Sequence, residues 1–329
     1  MLNCVPTSSY SEQYVAKKQF YDQRREFNAV LTKEARAEHL AGVLADAAHE
    51  LNGQYPLLRE FGNVYCEEQC EAVLVLSDWH YGMKTSNLWN EYDTEICKAR
   101  IIRLREQVIE RLRRHKVFRM HVFVLGDMAN GAIHVTSRVA SEEAVCEQLM
   151  HVSELIAELV SDLANYVQET LIYCTYGNHT RTVQRKEDSI HEDNMERLIP
   201  WWLEQRFVMR DDVTVTHTDV QELLSASVLG HHICGVHGDL DGKDAALTLS
   251  RVYERVYGQK MEYLISGHLH SLMDTEQLGV TSVRAGSLCG TDEFAKNARL
   301  FSEPRQTLLM FTPDGLDAIY HLQVGGIHG

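Results

Sequence analysis

The chain has 329 residues, is 44% hydrophobic and 24% charged, and holds only 5 prolines. That profile excludes a disordered chain and supplies one large core, or a core with a small appendage. No stretch approaches the ~18–20 apolar residues that span a membrane, and a formal net charge of −15 argues against a broad basic face for extended nucleic acid, although bound cations would reverse the field locally.

The opening MLNCVPTSSYSEQ lacks a basic region followed by an apolar run, so a cytoplasmic protein with no secretory signal and no membrane partner is expected. Residues from about Ser9 to Leu51 read as helix. Val15, Phe20, Phe27, Val30 and Leu31 recur at helical intervals, Leu40, Val43, Leu44 and Leu51 follow, and Asn52-Gly53 and Pro56 break the pattern. An arm packed on the core is the preferred reading; a dimerisation or partner helix is the other.

From Glu71 the texture changes. Short bounded apolar runs at Ala72–Leu76, Val122–Leu125, Leu171–Tyr176, Ile233–Val236 and Tyr263–Ile265 suit buried strands. Helical patterns lie at Glu95–Arg114 and Glu142–Val167, and the alternation indicates an α/β domain. Thr281–Val324 reads as shorter strands, with Leu308–Phe311 ending in the turn Thr312-Pro313-Asp314-Gly315. No large C-terminal domain is expected after this.

Of the eight cysteines, Cys97, Cys146, Cys174, Cys234 and Cys289 stand singly in apolar or helical contexts, as reduced, mostly buried thiols do. Cys66 and Cys70 lie four apart without a second pair, so a zinc knuckle is not expected.

The chemistry follows the strands. The five runs end in Asp78-Trp79-His80-Tyr81, Gly126-Asp127, Gly177-Asn178-His179, His237-Gly238-Asp239 and Gly267-His268-Leu269-His270. Ligands of open α/β sheets collect at the carboxyl ends of strands, so these groups would meet at one edge. Each piece alone is weak: a Gly-Asp after a strand is usually a turn, and a lone His237 is usually a core residue. Five strand ends in order, each bearing metal-capable groups, are not explained that way.

That ordered set resembles the calcineurin-like metallophosphoesterase superfamily over residues about 71 to 325. The resemblance implies a four-layer α/β/β/α sandwich, here with an N-terminal helical extension: residues 1–70 the extension, 71–329 the catalytic domain. It implies two divalent metal ions, with Asp78, His80 and His270 on the first, Asn178, His237 and His268 on the second, and Asp127 bridging both. It also implies a catalytic His179 that faces the phosphoryl group without binding metal. The family often has an acidic residue after its Asn-His pair. Here Thr180 stands there, which puts the orientation of His179 in question. Ser189–Trp202 (SIHEDNMERLIPWW) and Ser287–Phe294 (SLCGTDEF) are similar to phage-encoded members.

Two cations about 3.5–4 Å apart neutralise a phosphodiester and lower the pKa of a water between them. The mixed oxygen and nitrogen donors suit Mn²⁺, Fe²⁺ or Zn²⁺ better than Mg²⁺. Mn²⁺ is expected from the resemblance. Arg181 is a candidate phosphate contact, with an ordinary surface arginine as the equal alternative. Trp79 or Tyr81 would stack on a base if it is not core. His134, His191 and His217 carry no assigned role. The expected function is a two-metal phosphodiesterase, first of all a DNA exonuclease or endonuclease, with nucleic acid as partner. A phosphodiesterase of a small cyclic or linear nucleotide is the alternative, and a non-catalytic metal-stabilised scaffold the third reading. A homodimer is expected, through the N-terminal arm or the helices after the first two motifs.

Overall fold

The computed structural model describes residues 8–59, 67–131, 133, 139, 141–190, 193–216, 220, 222–242 and 244–325, in two units, Met1–Tyr55 and Pro56–Gly329. Helix α1 (Ser8–Gln54) forms the first unit, and Phe20, Phe27, Val30, Leu31, Leu40 and Val43 are exposed along it. Among the described residues no helix is long and apolar enough to cross a membrane.

The second unit is built on two sheets. The strands in chain order are β1 (Glu67–Leu76), β2 (Thr85–Ser86), β3 (Glu91–Tyr92), β4 (Val117–Val124), β5 (Glu169–Cys174), β6 (Val213–Thr216), β7 (Leu224–Val228), β8 (His231–Val236), β9 (Tyr263–Ser266), β10 (Met273–Gln277), β11 (Val280–Arg284), β12 (Arg305–Thr312) and β13 (Gly315–Gln323). Six form one sheet in the order β13-β12-β1-β4-β5-β6, and five form the other in the order β10-β11-β9-β8-β7. β1, β4, β5 and β6 run parallel, as do β8, β9 and β11, while β7, β10, β12 and β13 pair antiparallel. β2 and β3 make a small ribbon.

The helices of this unit are α2 (Thr94–His115), α3 (Val145–Ala164), α4 (Leu198–Arg206), α5 (Ala245–Tyr257) and α6 (Glu293–Ala298). Alternate residues of a strand face opposite sides, and β1 uses both. Ala72, Leu74 and Leu76 join the cluster containing Leu104 and Val108 of α2, Val152 and Ile156 of α3, and Leu203 of α4. Val73 and Val75 face the other way, into a cluster between the sheets with Phe123, Leu125, Ile233, Ile265 and Val283. A third cluster sets Leu249 and Tyr253 of α5 against Val236 and Leu264. The layers are therefore helix, sheet, sheet, helix, as the resemblance implied.

α2 begins where Asp93 accepts the Ile96 N–H at 2.7 Å and ends on Lys116 in the left-handed region. Its buried Cys97, Ile101, Leu104, Val108 and Leu112 recur at three- and four-residue spacing. The five motif-bearing strands are divided between the two sheets: β1, β4 and β5 lie in one, β8 and β9 in the other.

Candidate metal centre

The loops leaving β1, β4, β5, β8 and β9 converge, and their backbone is strained where they do. Asp78 (φ +54°), His80 (+47°), Asp127 (+51°), His268 (+68°) and His270 (+57°) all sit in the left-handed region, which side chains with a Cβ avoid at about 1–3 kcal/mol each. Strain gathered on five metal-capable residues marks a functional site. Gly126 (φ +89°) lets the loops after β4 and β5 touch: a Cβ there would stand 2.2 Å from the Gly177 nitrogen.

These loops bring the expected residues together in two groups. In the first, Nε2 of His80 and Nε2 of His270 face each other at 3.1 Å, and Asp78 Oδ1 lies 3.4 Å from His270 Nε2 and 3.9 Å from His80 Nε2. In the second, His237 Nε2 stands 3.3 Å from Asn178 Oδ1 and 3.2 Å from Asp127 Oδ2, and the ligand-capable atoms of Asp127, His237 and His268 lie within 4.8 Å of one another. Asp127 also groups with His80 and His179 within that distance, so it stands between the two sets. The His179 Nε2 to Asp127 Oδ2 distance is 4.0 Å.

The donors fit divalent cations. Asp78 is fully buried, and its Oδ2 accepts from the Ser77 hydroxyl at 2.5 Å and the His268 N–H at 2.9 Å. Its Oδ1 is buried with no hydrogen-bond partner, a costly arrangement without a cation. His237 donates Nδ1–H to the Leu125 carbonyl at 2.7 Å, which turns Nε2 into the site. Burial, and then the charge of His179, hold the His80 imidazole well below its ordinary range, so it is neutral and ligand-ready. Burial would lower His237 too, but the charge of Asp127 and the hydrogen bond to it push it up to about 10. Burial would raise Asp78, but its close contact with the His270 ring and the charge of that ring hold it well below the usual carboxylate range. Without metal, protons on His237 and His270 stand where cations would balance two buried carboxylates.

The sequence did not reveal what holds the centre in place. Glu196, in the 3₁₀ turn Met195–Arg197 before α4, is buried and accepts four backbone N–H groups. Oε2 takes those of Asp127 (3.1 Å) and Gly177 (2.8 Å), and Oε1 those of Met128 (2.6 Å) and Ala129 (3.2 Å). Burial, and next the charge of Asp127, push its carboxyl up to about 7 against the pull of the backbone N–H groups. Asn194 donates to the Gly177 carbonyl at 2.7 Å and accepts from the Thr180 hydroxyl at 2.7 Å, so Thr180 braces this network. His179 is oriented instead by the Asn130 carbonyl, 3.0 Å from Nδ1. The acidic neighbour that Thr180 replaces is not needed for that task.

Trp79 and Tyr81 are both buried. The indole N–H donates to Gln306 at 3.0 Å and the phenol to Glu143 at 3.2 Å, so neither reaches a base. Arg181 lines a pocket with Asn178, His237, Lys186 and Tyr176. Its Nη2 donates to the Gln184 carbonyl at 3.2 Å, and its Nε is buried without a hydrogen-bond partner. His134, His191, His217 and Cys66 lie outside the described residues.

Comparison with known proteins adds the following. The family model described as the calcineurin-like phosphoesterase superfamily domain matches residues 72–303, more than half of the chain. The SPbeta prophage-derived uncharacterized protein YonJ of Bacillus subtilis (strain 168) is 21% identical over 239 residues, 70% of this chain and 58% of that protein. The chain thus spans less than two thirds of that curated relative. Among solved structures, an archaeal phosphodiesterase is similar at 13% identity with a TM-score of 0.38, covering 76% of this chain and 99% of that one. The zinc complex of Vps29 from Entamoeba histolytica is similar at 14% identity with a TM-score of 0.34, covering 77% and 99%.

Proposed function

The chain belongs to the calcineurin-like phosphoesterase superfamily, and on that premise we propose that it is a metal-dependent phosphodiesterase acting on nucleic acid, as a DNA nuclease supported by Mn²⁺. The observation that carries the hydrolytic reading is the convergence of seven donor side chains, among them the fully buried Asp78, whose Oδ1 has no hydrogen-bond partner. Asp78, His80 and His270 would hold one cation, Asn178, His237 and His268 the other, and Asp127 would touch both. Bound there, the cations would neutralise charge on the phosphoryl oxygens and supply hydroxide near neutral pH.

The rest of the chemistry belongs to the chain. His179, fixed through Nδ1–H to the Asn130 carbonyl, presents Nε2 beside Asp127. Protonated there, it donates to a phosphoryl oxygen or to the departing oxygen, a contribution of about 10²–10⁴-fold. Arg181, with an unpartnered buried Nε in the pocket beside Asn178 and His237, supplies positive charge to a flanking phosphate. Similarity to a prophage-derived protein favours a nucleic-acid substrate. The net charge of −15 favours the second reading, a small nucleotide diester.

End-labelled single- and double-stranded DNA incubated with Mn²⁺-loaded protein, beside Asp127→Asn, decides. Degradation by the wild type alone supports a nuclease at this centre. Intact DNA with metals bound, and turnover of a cyclic or linear dinucleotide, would transfer the proposal to the small diester.

A further inference from the structure

The loop after β11 brings a thiol to the first metal position. Leu288 donates its N–H to the Asp78 carbonyl at 3.1 Å, tying this loop to the first ligand. The Cys289 carbonyl accepts from Arg100 Nη1 and from Asn90 Nδ2, each at 2.8 Å, and the Gly290 N–H donates to Ser287 Oγ at 3.1 Å. Cys289 is fully buried, with its backbone held from both sides. Its thiol faces the centre: the ligand-capable atoms of His80, His270 and Cys289 all lie within 4.8 Å of one another. Asp78 Oδ1, buried and unpartnered, points to the same place, 3.4 Å from His270 Nε2. The thiol's protein contacts are a 3.4 Å S–H donation to the carbonyl of the adjacent Gly290 and a hydrogen bond with the His270 ring, one of the donors of that position. Among the described residues no other cysteine stands in such a group with histidines.

We propose that Cys289 Sγ is a ligand of the cation held by Asp78, His80 and His270, which makes the first position a sulfur-bearing site selective for Zn²⁺ or Fe²⁺ over Mn²⁺ and Mg²⁺. The inference rests on the two-cation reading of the centre. On binding, the S–H bond breaks, its proton leaves to solvent and the thiolate pair forms the bond to the cation. Soft thiolate selects Zn²⁺ and iron, whereas Mn²⁺ and Mg²⁺ prefer oxygen. The second group, with Asn178, Asp127 and two imidazoles but no sulfur, keeps the harder character that admits Mn²⁺. The centre is then chemically asymmetric: a tightly held softer ion beside an exchangeable one.

The test is titration of the metal-free full chain with Co²⁺, read by absorption and by bound-metal analysis. The expected result is two Co²⁺ bound, with a near-ultraviolet sulfur-to-cobalt charge-transfer band. Cys289→Ser should lose that band, and its preference for Zn²⁺ over Mn²⁺, measured by chelator competition, should fall by about 100-fold. Two bound Co²⁺ without the band, or a band that survives Cys289→Ser, overturns the inference and leaves the metal centre standing. No bound Co²⁺ overturns both. Should the variant fail to fold, X-ray absorption on the zinc-loaded wild type decides: a sulfur neighbour at about 2.3 Å supports the ligand, and nitrogen and oxygen neighbours alone at about 2.0–2.2 Å refute it.

Discussion

Replacing Glu196 by Gln tests whether one buried carboxylate sets the spacing of the centre. Its two oxygens accept from Asp127 and Gly177 on one side and from Met128 and Ala129 on the other, at 2.6–3.2 Å. Glutamine has the same shape, but one oxygen becomes NH₂. Whichever way the amide turns, two backbone N–H groups then face N–H instead of oxygen. A buried donor left unpaired costs about 1–3 kcal/mol, so the pair costs about 2–6 kcal/mol. That is a large share of a total stability of about 5–15 kcal/mol. The same amides carry Asp127 and, one residue past Gly177, Asn178, so metal affinity should fall by about 10–100-fold, as when the supports of metal ligands are removed. Urea unfolding of the metal-free protein reads the first quantity, and titration calorimetry with Mn²⁺ and Zn²⁺ the second. Glu196→Ala is the control: it opens space for water to reach the four amides, so it should cost less stability for the same loss of affinity. Unfolding of Glu196→Gln within about 0.5 kcal/mol of wild type, with affinity unchanged, would refute the reasoning.

Other substitutions separate the remaining roles. His179→Ala should lower turnover by about 10²–10⁴-fold with both metals still bound, and a parallel loss of metal would return His179 to the ligand set. Gly126→Ala places a Cβ 2.2 Å from the Gly177 nitrogen at a φ of +89°, and should cost more than about 3 kcal/mol in denaturant unfolding; a cost below 1 kcal/mol would contradict the close approach. Chelation should lower the melting temperature of the wild type, reversibly on adding metal, and that of Asp127→Asn much less. His231→Ala should show a pH-dependent effect. The hydrogen bond that His231 donates to Glu262, 2.9 Å away, is the main cause of a raised His231 pKa; burial opposes the matching fall in Glu262, but the bonds from His231 and the His232 N–H, with the charges of both rings, together outweigh it. The histidine's share is fully present below its ordinary 6.5 and lost as pH rises through the raised value, while the glutamate's is present above 4.5 and lost in acid. The variant should therefore lose most stability between pH 4.5 and 6.5, by up to about 1 kcal/mol, and least once the pH has risen through the raised His231 value; equal losses throughout would remove the ion pair from the account.

What could be read from the sequence was whatever depended on local pattern. Bounded apolar runs gave β1, β4, β5, β8 and β9 because both faces of those strands are buried, and α2 showed its apolar period because one face packs on a sheet. β10 (MDTEQ) was silent: it is an exposed edge strand whose one apolar residue, Met273, is not buried. The order of strand ends pointed to the donor residues, but not to how alternate residues divide. With Asp78 and His80 in the left-handed region, the backbone turns both into the centre and sends Trp79 and Tyr81 to the core. Neighbourhood in sequence had left stacking on a base and core packing both open for the aromatics.

Glu196 was hidden for a deeper reason. Its work is to accept amides from loops 19 and 67–69 residues away, and no periodicity records a backbone partner. The same holds for Asn130, whose carbonyl orients His179 whatever its side chain. The family pattern has an acidic side chain after the Asn-His pair, and this chain has Thr180 there. In the fold the two tasks are separated: a main-chain oxygen holds the imidazole, and Thr180 with Asn194 and Glu196 holds the loop beneath it. A carbonyl cannot be deleted by substitution. The orientation of His179 should therefore survive Asn130→Ala and fail only when the turn that carries residue 130 moves, which is what Glu196 prevents through its bonds to Asp127, Met128 and Ala129.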